Sequence, residues 1–315
     1  MGSSVVAFGD SHPGLVHPRN EDSLAIAPQP DGAYLLVVCD GMGGMGRGDQ
    51  ASRLAVRHLL MAFGAAEGDL KERLLKSVTS TDLAIRAALC VGGRGHAGCT
   101  VAIAHVFEGT AQVAWVGDSR VYLVRSGAVI TRTRDHKLVQ ELVDLGQLTP
   151  EEAKRSSLSS VITRALGGRP PGPLATQPAF LEPWKTEPGD TIVLCSDGLA
   201  DLVPDEELPS LLAPKPEGSV AKMIQVACDR GGHDNISVIV ANFGPEGAPD
   251  DVAPREAGAV TVLPEPTPAP VTRTVSSADA ARARRATEAR LSPPWLVVPA
   301  AVGVVAWAII HSLNS

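Results

Sequence analysis

The chain has 315 residues, 44% apolar and 20% charged, which supports a sizeable core and excludes a wholly disordered polymer. Its 28 Lys and Arg against 35 Asp and Glu give a net charge of −7, with only 3% aromatics. Nucleic acid is therefore not an expected partner, because phosphate backbones need a basic face and bases need rings to stack on.

Five cysteines with no CxxC or Cys/His spacing form neither a disulfide framework nor a zinc site, and they suit a reducing compartment. The first ten residues lack the basic and apolar regions of a secretory leader, so none is expected. In chain order, the continuous apolar run 34–39 predicts a strand. Helices are expected over about 49–63, with Asp49 as N-cap, and about 68–90. Residues 111–116 predict a strand, 137–145 a helix, 191–195 a strand, 219–229 a helix capped by Ser219, and 236–243 a strand. This mixture predicts an α+β layered domain over residues 1–244.

Beyond Phe243 the composition changes. Residues 245–290 are rich in Pro, Ala, Thr and acid and predict a flexible, extended linker, ending in the basic stretch 281–285. From Leu291 to Ser315 there is no Lys, Arg, Asp or Glu. A bilayer core takes ~20 apolar helical residues, so 291–315 predicts a C-terminal transmembrane helix. Arg282, Arg284, Arg285 and Arg290 flank only its N-terminal side, which places the folded part in the cytoplasm, on a single-pass anchor in the cell membrane. A hydrophobic helix docked on the domain, or a dimer helix, is the alternative.

Two segments repeat one design: YLLVVCDG at 34–41 and TIVLCSDG at 191–198 each run a buried strand straight into Asp-Gly. Asp118 ends another strand in AWVGDSR, and Asp234 precedes the last strand in GGHDNISVIV. Burying a carboxylate costs several kcal/mol, roughly, unless it is paired. Asp40, Asp118, Asp197 and Asp234, with Glu21-Asp22 near the start, would share a cation. Oxygen donors without Cys or His select a hard ion, Mg2+ or Mn2+. Taken singly, each has a plainer explanation: Asp-Gly is a turn signal, Asp118 can pair with Arg120, and Asp234 can serve a turn. Gly41-Met42-Gly43-Gly44-Met45-Gly46 also spells the dinucleotide fingerprint. Asp40 would repel a pyrophosphate, however, and the acidic residue ~20 positions on is missing.

The ordered set Asn20-Glu21-Asp22, Asp40-Gly41-Met42-Gly43-Gly44, Gly98-Cys99-Thr100, Gly117-Asp118-Ser119-Arg120, Asp135-His136, 162–167, Pro188-Gly189-Asp190, Ser196-Asp197-Gly198-Leu199 and Asp234-Asn235 resembles the metal-dependent serine/threonine protein phosphatases (PPM, type 2C-like) in their bacterial form. The resemblance runs over nearly all of residues 5–243. It implies a four-layer α-β-β-α sandwich of two antiparallel sheets flanked by helices. It implies that Asp40 bridges two metal ions, that Gly41 offers its carbonyl, that Asp197 and Asp234 hold the first ion and that Glu21 reaches the second through water. Asp118 is similar to the ligand of a third ion, and Asp22 lies in the same acidic motif, as a ligand or as loop support. Asp40, Asp197 and Asp234 would thus carry catalysis, through a water activated by two Mn2+ or Mg2+ ions.

The expected substrates are phosphoserine and phosphothreonine of phosphoproteins made by a Ser/Thr kinase. Where many members place a phosphate-gripping Arg, this chain has His17, and Arg19 follows two residues later. Either is a candidate for the phosphate contact, and both share a face with Glu21 if the stretch is a strand. His136 and His233 are expected to be structural, as are His58, Trp115, Trp184, Cys39, Cys99 and Cys195. A phosphatase-like module that binds phosphoproteins without turnover, and a nucleotide-binding enzyme, are the alternative functions.

Overall fold

The computed structural model describes residues 4–43, 47–90, 97–168 and 177–244. In chain order they form β1 (Ser4–His12), β2 (Ser23–Pro28), β3 (Tyr34–Cys39), β4 (Gly41–Gly43), α1 (Gly48–Ala65) and α2 (Leu70–Leu89). Next come β5 (Ala97–Cys99), β6 (Val101–Phe107), β7 (Thr110–Val116), β8 (Arg120–Arg125), β9 (Ala128–Arg132), α3 (Leu138–Asp144) and α4 (Pro150–Arg155). The remainder is β10 (Leu166–Gly167), β11 (Ala179–Phe180), β12 (Trp184–Lys185), β13 (Thr191–Cys195), α5 (Asp197–Ala200), a 3-10 turn, α6 (Pro216–Asp229) and β14 (Ile236–Gly244).

A five-stranded sheet has the order β1-β14-β13-β8-β9, and a six-stranded sheet the order β11-β7-β6-β3-β2 with β12 also on β7. All these pairings are antiparallel. The central strands are continuous apolar runs because both of their faces are covered. On β3, Leu36 and Val38 face the other sheet, while Leu35, Val37 and Cys39 face α1 and α2. On β13, Ile192 and Leu194 point between the sheets, and Val193 and Cys195 point toward α6. Alternation along each strand thus builds three apolar layers, and the four-layer α-β-β-α order follows.

The expected strands and helices form within a few residues of their predicted bounds. Two caps differ. Arg47, not Asp49, precedes α1, and Asp49 lies inside the first turn, where it pairs with Arg53. Helix α6 begins at Pro216, a residue suited to the first helical position. Ser219 is buried within α6, and its Oγ accepts the Ala213 N–H at 2.8 Å. The stretch 13–22 is a loop, not a strand, so His17, Arg19 and Glu21 share no strand face. Pro13 and Pro18 interrupt it.

Gly41–Gly43 pair with β5 as a short strand, which ties up the backbone that a dinucleotide would need; Gly44, Met45 and Gly46 lie outside the described residues. The linker 245–290 and the predicted membrane helix 291–315 also lie outside them. Among the described residues no helix is long and apolar enough to cross a membrane.

Leu194 is fully buried between the sheets, whereas Leu83 is 61% exposed on α2. Leu194→Ala is expected to cost about 2–5 kcal/mol in denaturant unfolding. Leu83→Ala should stay within about 0.5 kcal/mol.

Candidate active site

Strand register brings the acidic residues to one end of the sandwich. In the six-stranded sheet, Ser23 lies opposite Cys39 and Val38 opposite Ala102, which in turn lies opposite Trp115. The start of β2 and the ends of β3 and β7 therefore lie side by side. In the five-stranded sheet, Cys195 lies opposite both Val238 and Arg120, aligning the end of β13 with the starts of β14 and β8. The short turn from Val116 to Arg120 links the two sheets at this shared end. Gly117, at φ 104°, permits that turn, and a Cβ there would strike the Thr100 side chain.

Glu21, Asp22, Asp40, Asp118, Asp197 and Asp234 all belong to this end. Asp40 is held by its backbone: its N–H donates to Thr100 Oγ1 at 3.0 Å, and the Thr100 N–H donates to the Asp40 carbonyl at 2.9 Å. The Thr100 and Ser119 hydroxyls lie 2.6 Å apart. The Gly41 N–H donates to the Glu21 carbonyl at 3.1 Å. A Cβ on Gly48 would collide with Glu21 Oε2 and the Gly41 carbonyl oxygen, so these two oxygens border one small cradle. Asp22 Oδ2 accepts the Ser196 hydroxyl at 2.8 Å.

Asn235 clamps the loop that carries Glu21. Its Nδ2 donates to the carbonyls of Pro13 at 2.9 Å and Arg19 at 3.0 Å, and its Oδ1 accepts the Glu21 N–H at 2.7 Å. Asp234, next to it, is half exposed, unlike Asp118, which is buried. His17 lies 3.6 Å from Asp234 and is itself half exposed. Arg19 is exposed, and its charge acts on Glu21.

One sequence expectation changes, and the histidine expectation holds for His136. Asp118 does not pair with Arg120; Arg120 makes a two-pronged pair with Asp135 at 2.7 and 2.8 Å. The partner of Asp118 is Lys137, with Nζ 3.0 Å from Oδ2. His136 is structural: its ring stacks on Trp115, its Nδ1 accepts the Gly117 N–H at 3.0 Å, and burial pulls its pKa down to about 4. His233 is exposed. Trp115, Trp184, Cys39, Cys99 and Cys195 are buried apolar residues, and His58 bridges α1 to Thr81 of α2.

The sequence reading assigned no role to Thr100, Ser119, Lys137, Ser196 or Asn235. Ser119, Ser196 and Asn235 each adjoin an acidic residue of the motifs, and Thr100 closes Gly98-Cys99-Thr100; that placement was their only signal. Lys137 follows Asp135-His136, yet nothing in that adjacency pointed to Asp118.

The electrostatics show what this arrangement lacks. Burial, then Asp22, Asp197, Asp118 and Asp234, push the Asp40 carboxyl well above its usual range. Burial, then Asp118 and Asp201, do the same to Asp197. Burial lifts Asp22 to about 7, against hydrogen bonds that favour its charge. Asp22 Oδ1, both Asp118 oxygens and Asp197 Oδ1 are buried with no hydrogen-bond partner. Leaving such an atom unsatisfied costs about 1–3 kcal/mol, and more when charged.

The donors are all hard oxygens, so the set fits Mn2+ or Mg2+. Among the described residues no three His, Cys, Asp or Glu side chains already close on one point.

Carboxyls whose folded pKa is raised favour folding at low pH and oppose it as pH rises through the folded value. For Asp22 that window runs from 3.8 to about 7. Chelator-treated protein is therefore expected to melt at a higher temperature at pH 6 than at pH 8. In saturating Mn2+ the trend should reverse, because protons then compete with the metal. Thermal melts at both pH values check this.

Comparison with known proteins agrees with the geometry. A family model described as protein phosphatase 2C matches residues 9–233. The chain is 38% identical over 232 residues to the serine/threonine protein phosphatase PstP of Mycobacterium tuberculosis, covering 73% of this chain and 43% of that protein. It thus spans less than half the length of that relative. It is 32% identical over 240 residues to the serine/threonine phosphatase stp of Listeria welshimeri, covering 72% of this chain and 91% of the other.

Among solved structures, that of the M. tuberculosis phosphatase PstP/Ppp superimposes with a TM-score of 0.67 at 35% identity, covering 76% of this chain and 99% of that one. The catalytic domain of PstP in complex with two manganese ions gives a TM-score of 0.65 at 34% identity, covering 76% and 98%. With this sandwich, this acidic end and these relatives, the chain belongs to the protein phosphatase 2C family.

Proposed function

We propose that the chain is a metal-dependent protein phosphatase that hydrolyses phosphoserine and phosphothreonine on proteins. The observation that carries this reading is the convergence of Asp22, Asp40, Asp118 and Asp197 at one end of two sheets, with buried oxygens that no protein group satisfies. Asp40, Asp197, Asp234, Glu21 and the Gly41 carbonyl would hold two ions, Mn2+ or Mg2+. When bound, such a pair supplies a nucleophile at neutral pH and offsets charge on the transferring phosphoryl group.

The chain's own residues do the rest. Thr100 and the Gly41–Glu21 backbone contact keep Asp40 in place, and Asn235 keeps the Glu21 loop closed over it. Arg19, exposed on that loop beside Glu21, is placed to hold a phosphate oxygen. His17 faces Asp234 instead. The buried cysteines need no part in the chemistry.

The reading extends to location and partners. Residues 245–290 would serve as a flexible linker and 291–315 as a single membrane-spanning helix. Composition supports this, as does the arginine cluster on one flank. The catalytic domain, 1–244, would then work at the cytoplasmic face on phosphoproteins made by a Ser/Thr kinase.

Full-length protein is expected to release phosphate from a phosphothreonine peptide in Mn2+ and to stop when the metal is chelated. Phosphotyrosine should be the poorer substrate when assayed side by side. Asp197→Asn should lower the rate by roughly 100-fold or more. Unchanged turnover in that variant overturns the reading, and peptide binding without turnover would make the chain a binding module.

Arg19→Ala should lower kcat/KM by roughly 10- to 100-fold, the worth of one charged hydrogen bond. A larger loss in His17→Ala would transfer the phosphate contact to His17. Equal solubility without detergent of full-length protein and of residues 1–290 would remove the membrane helix.

A further inference from the structure

Lys137 is 6% exposed, unusual for a lysine, and its ammonium enters the acidic end of the sandwich from the side. Nζ lies 3.0 Å from Asp118 Oδ2 and 3.3 Å from Asp201 Oδ1. Asp118 is 1% exposed, and apart from this ion pair neither of its oxygens has a hydrogen-bond partner. The placement is rigid. The His136 N–H donates to the Gly117 carbonyl at 3.0 Å, and the Gly117 N–H donates back to His136 Nδ1 at 3.0 Å. On the other side Lys137 bridges to Ile162, and the Leu138 N–H donates to the Val161 carbonyl at 2.8 Å. The backbone on either side of Lys137 is thus stitched to the Asp118 turn and to residues 161–163.

An ammonium held in this way is a permanent cation among carboxylates. It and a divalent ion would compete for the same Asp118 carboxylate, whose Oδ2 the ammonium already occupies at 3.0 Å. We propose that Lys137 is a built-in counter-ion that takes Asp118 out of the metal set, leaving two divalent ions on Asp40, Asp197, Asp234, Glu21 and Gly41. Removing the ammonium frees Asp118, with Asp201 beside it, to hold a further divalent ion. This rests on the metal-dependent phosphatase reading above, and it assigns Lys137 a positioning role that acts through Asp118.

The test is the number of Mn2+ ions bound per full-length chain at saturation, measured by equilibrium dialysis with metal analysis. Wild type should bind about two ions. Lys137→Met, which keeps the stem and removes the charge, should bind about three. Lys137→Arg, which keeps the charge, should return to about two. The same stoichiometry in wild type and Lys137→Met overturns the proposal.

Should Lys137→Met fail to fold, Asp118→Asn decides the matter. Under the proposal it binds as many Mn2+ ions as wild type, and one ion fewer shows that Asp118 is already a ligand. A wild-type chain that takes up no Mn2+ overturns this proposal together with the phosphatase reading. Two ions in every variant, with full Mn2+-dependent hydrolysis of the phosphothreonine peptide, would overturn this proposal alone.

Discussion

The carboxylates of Asp22, Asp40, Asp118 and Asp197 lie at the end of two facing sheets whose other surfaces are apolar. Their charge is only partly offset, by the Ser196 hydroxyl on Asp22 and the Lys137 ammonium on Asp118, while buried oxygens of Asp22, Asp118 and Asp197 have no hydrogen-bond partner. Each raises the cost of ionising its neighbours. A group of like charges in a low-dielectric corner is unstable on its own, and the folding energy of the two sheets holds it together. That tension makes the site selective for small, highly charged cations with a preference for oxygen, and it is absent from any one Asp-Gly turn considered alone.

The acids differ in their supports. Asp118 sits on the floor of the site, buried and opposed by Lys137. Asp40 and Asp197, just past the ends of β3 and β13, are intermediate in exposure. Asp234 and His17 are half exposed at the rim, and Arg19 lies outside them. Charge therefore grades from neutralised at the base to solvated at the mouth, where a phosphorylated chain would arrive. The supports are mostly backbone contacts and short hydroxyl or amide bridges through Thr100, Ser119, Ser196 and Asn235. Such groups set positions without adding charge, so they shape the site while leaving its electrostatic demand intact.

Much of this was legible in the sequence because apolar runs with two covered faces are long and unbroken. The runs at 34–39 and 191–195 could be read as core strands, and the acids that follow them as strand-end residues. The caps were less legible. Asp49 and Ser219 have the right chemistry for an N-cap, yet Arg47 and Lys215 occupy those positions, since the packing of each helix decides where its first turn begins. The segment 13–22 shows the same limit: alternate spacing would have set His17, Arg19 and Glu21 on one face only in a strand, and with two prolines and the Asn235 clamp the segment is a loop.

By itself the sequence determined the core strands at 34–39, 111–116, 191–195 and 236–243, the acidic residues beside them and the hard-oxygen character of the donor set, because these follow from local hydrophobic pattern and side-chain chemistry. Only the tertiary structure decided which charges meet. Arg120 is two residues from Asp118 but pairs with Asp135, while Lys137, nineteen positions away, pairs with Asp118. The reason is geometric. Asp118 lies in the turn before β8 and not on the strand, so its spacing from Arg120 sets no shared face, and the contacts of a buried charge are set by the crossing of segments far apart in the chain.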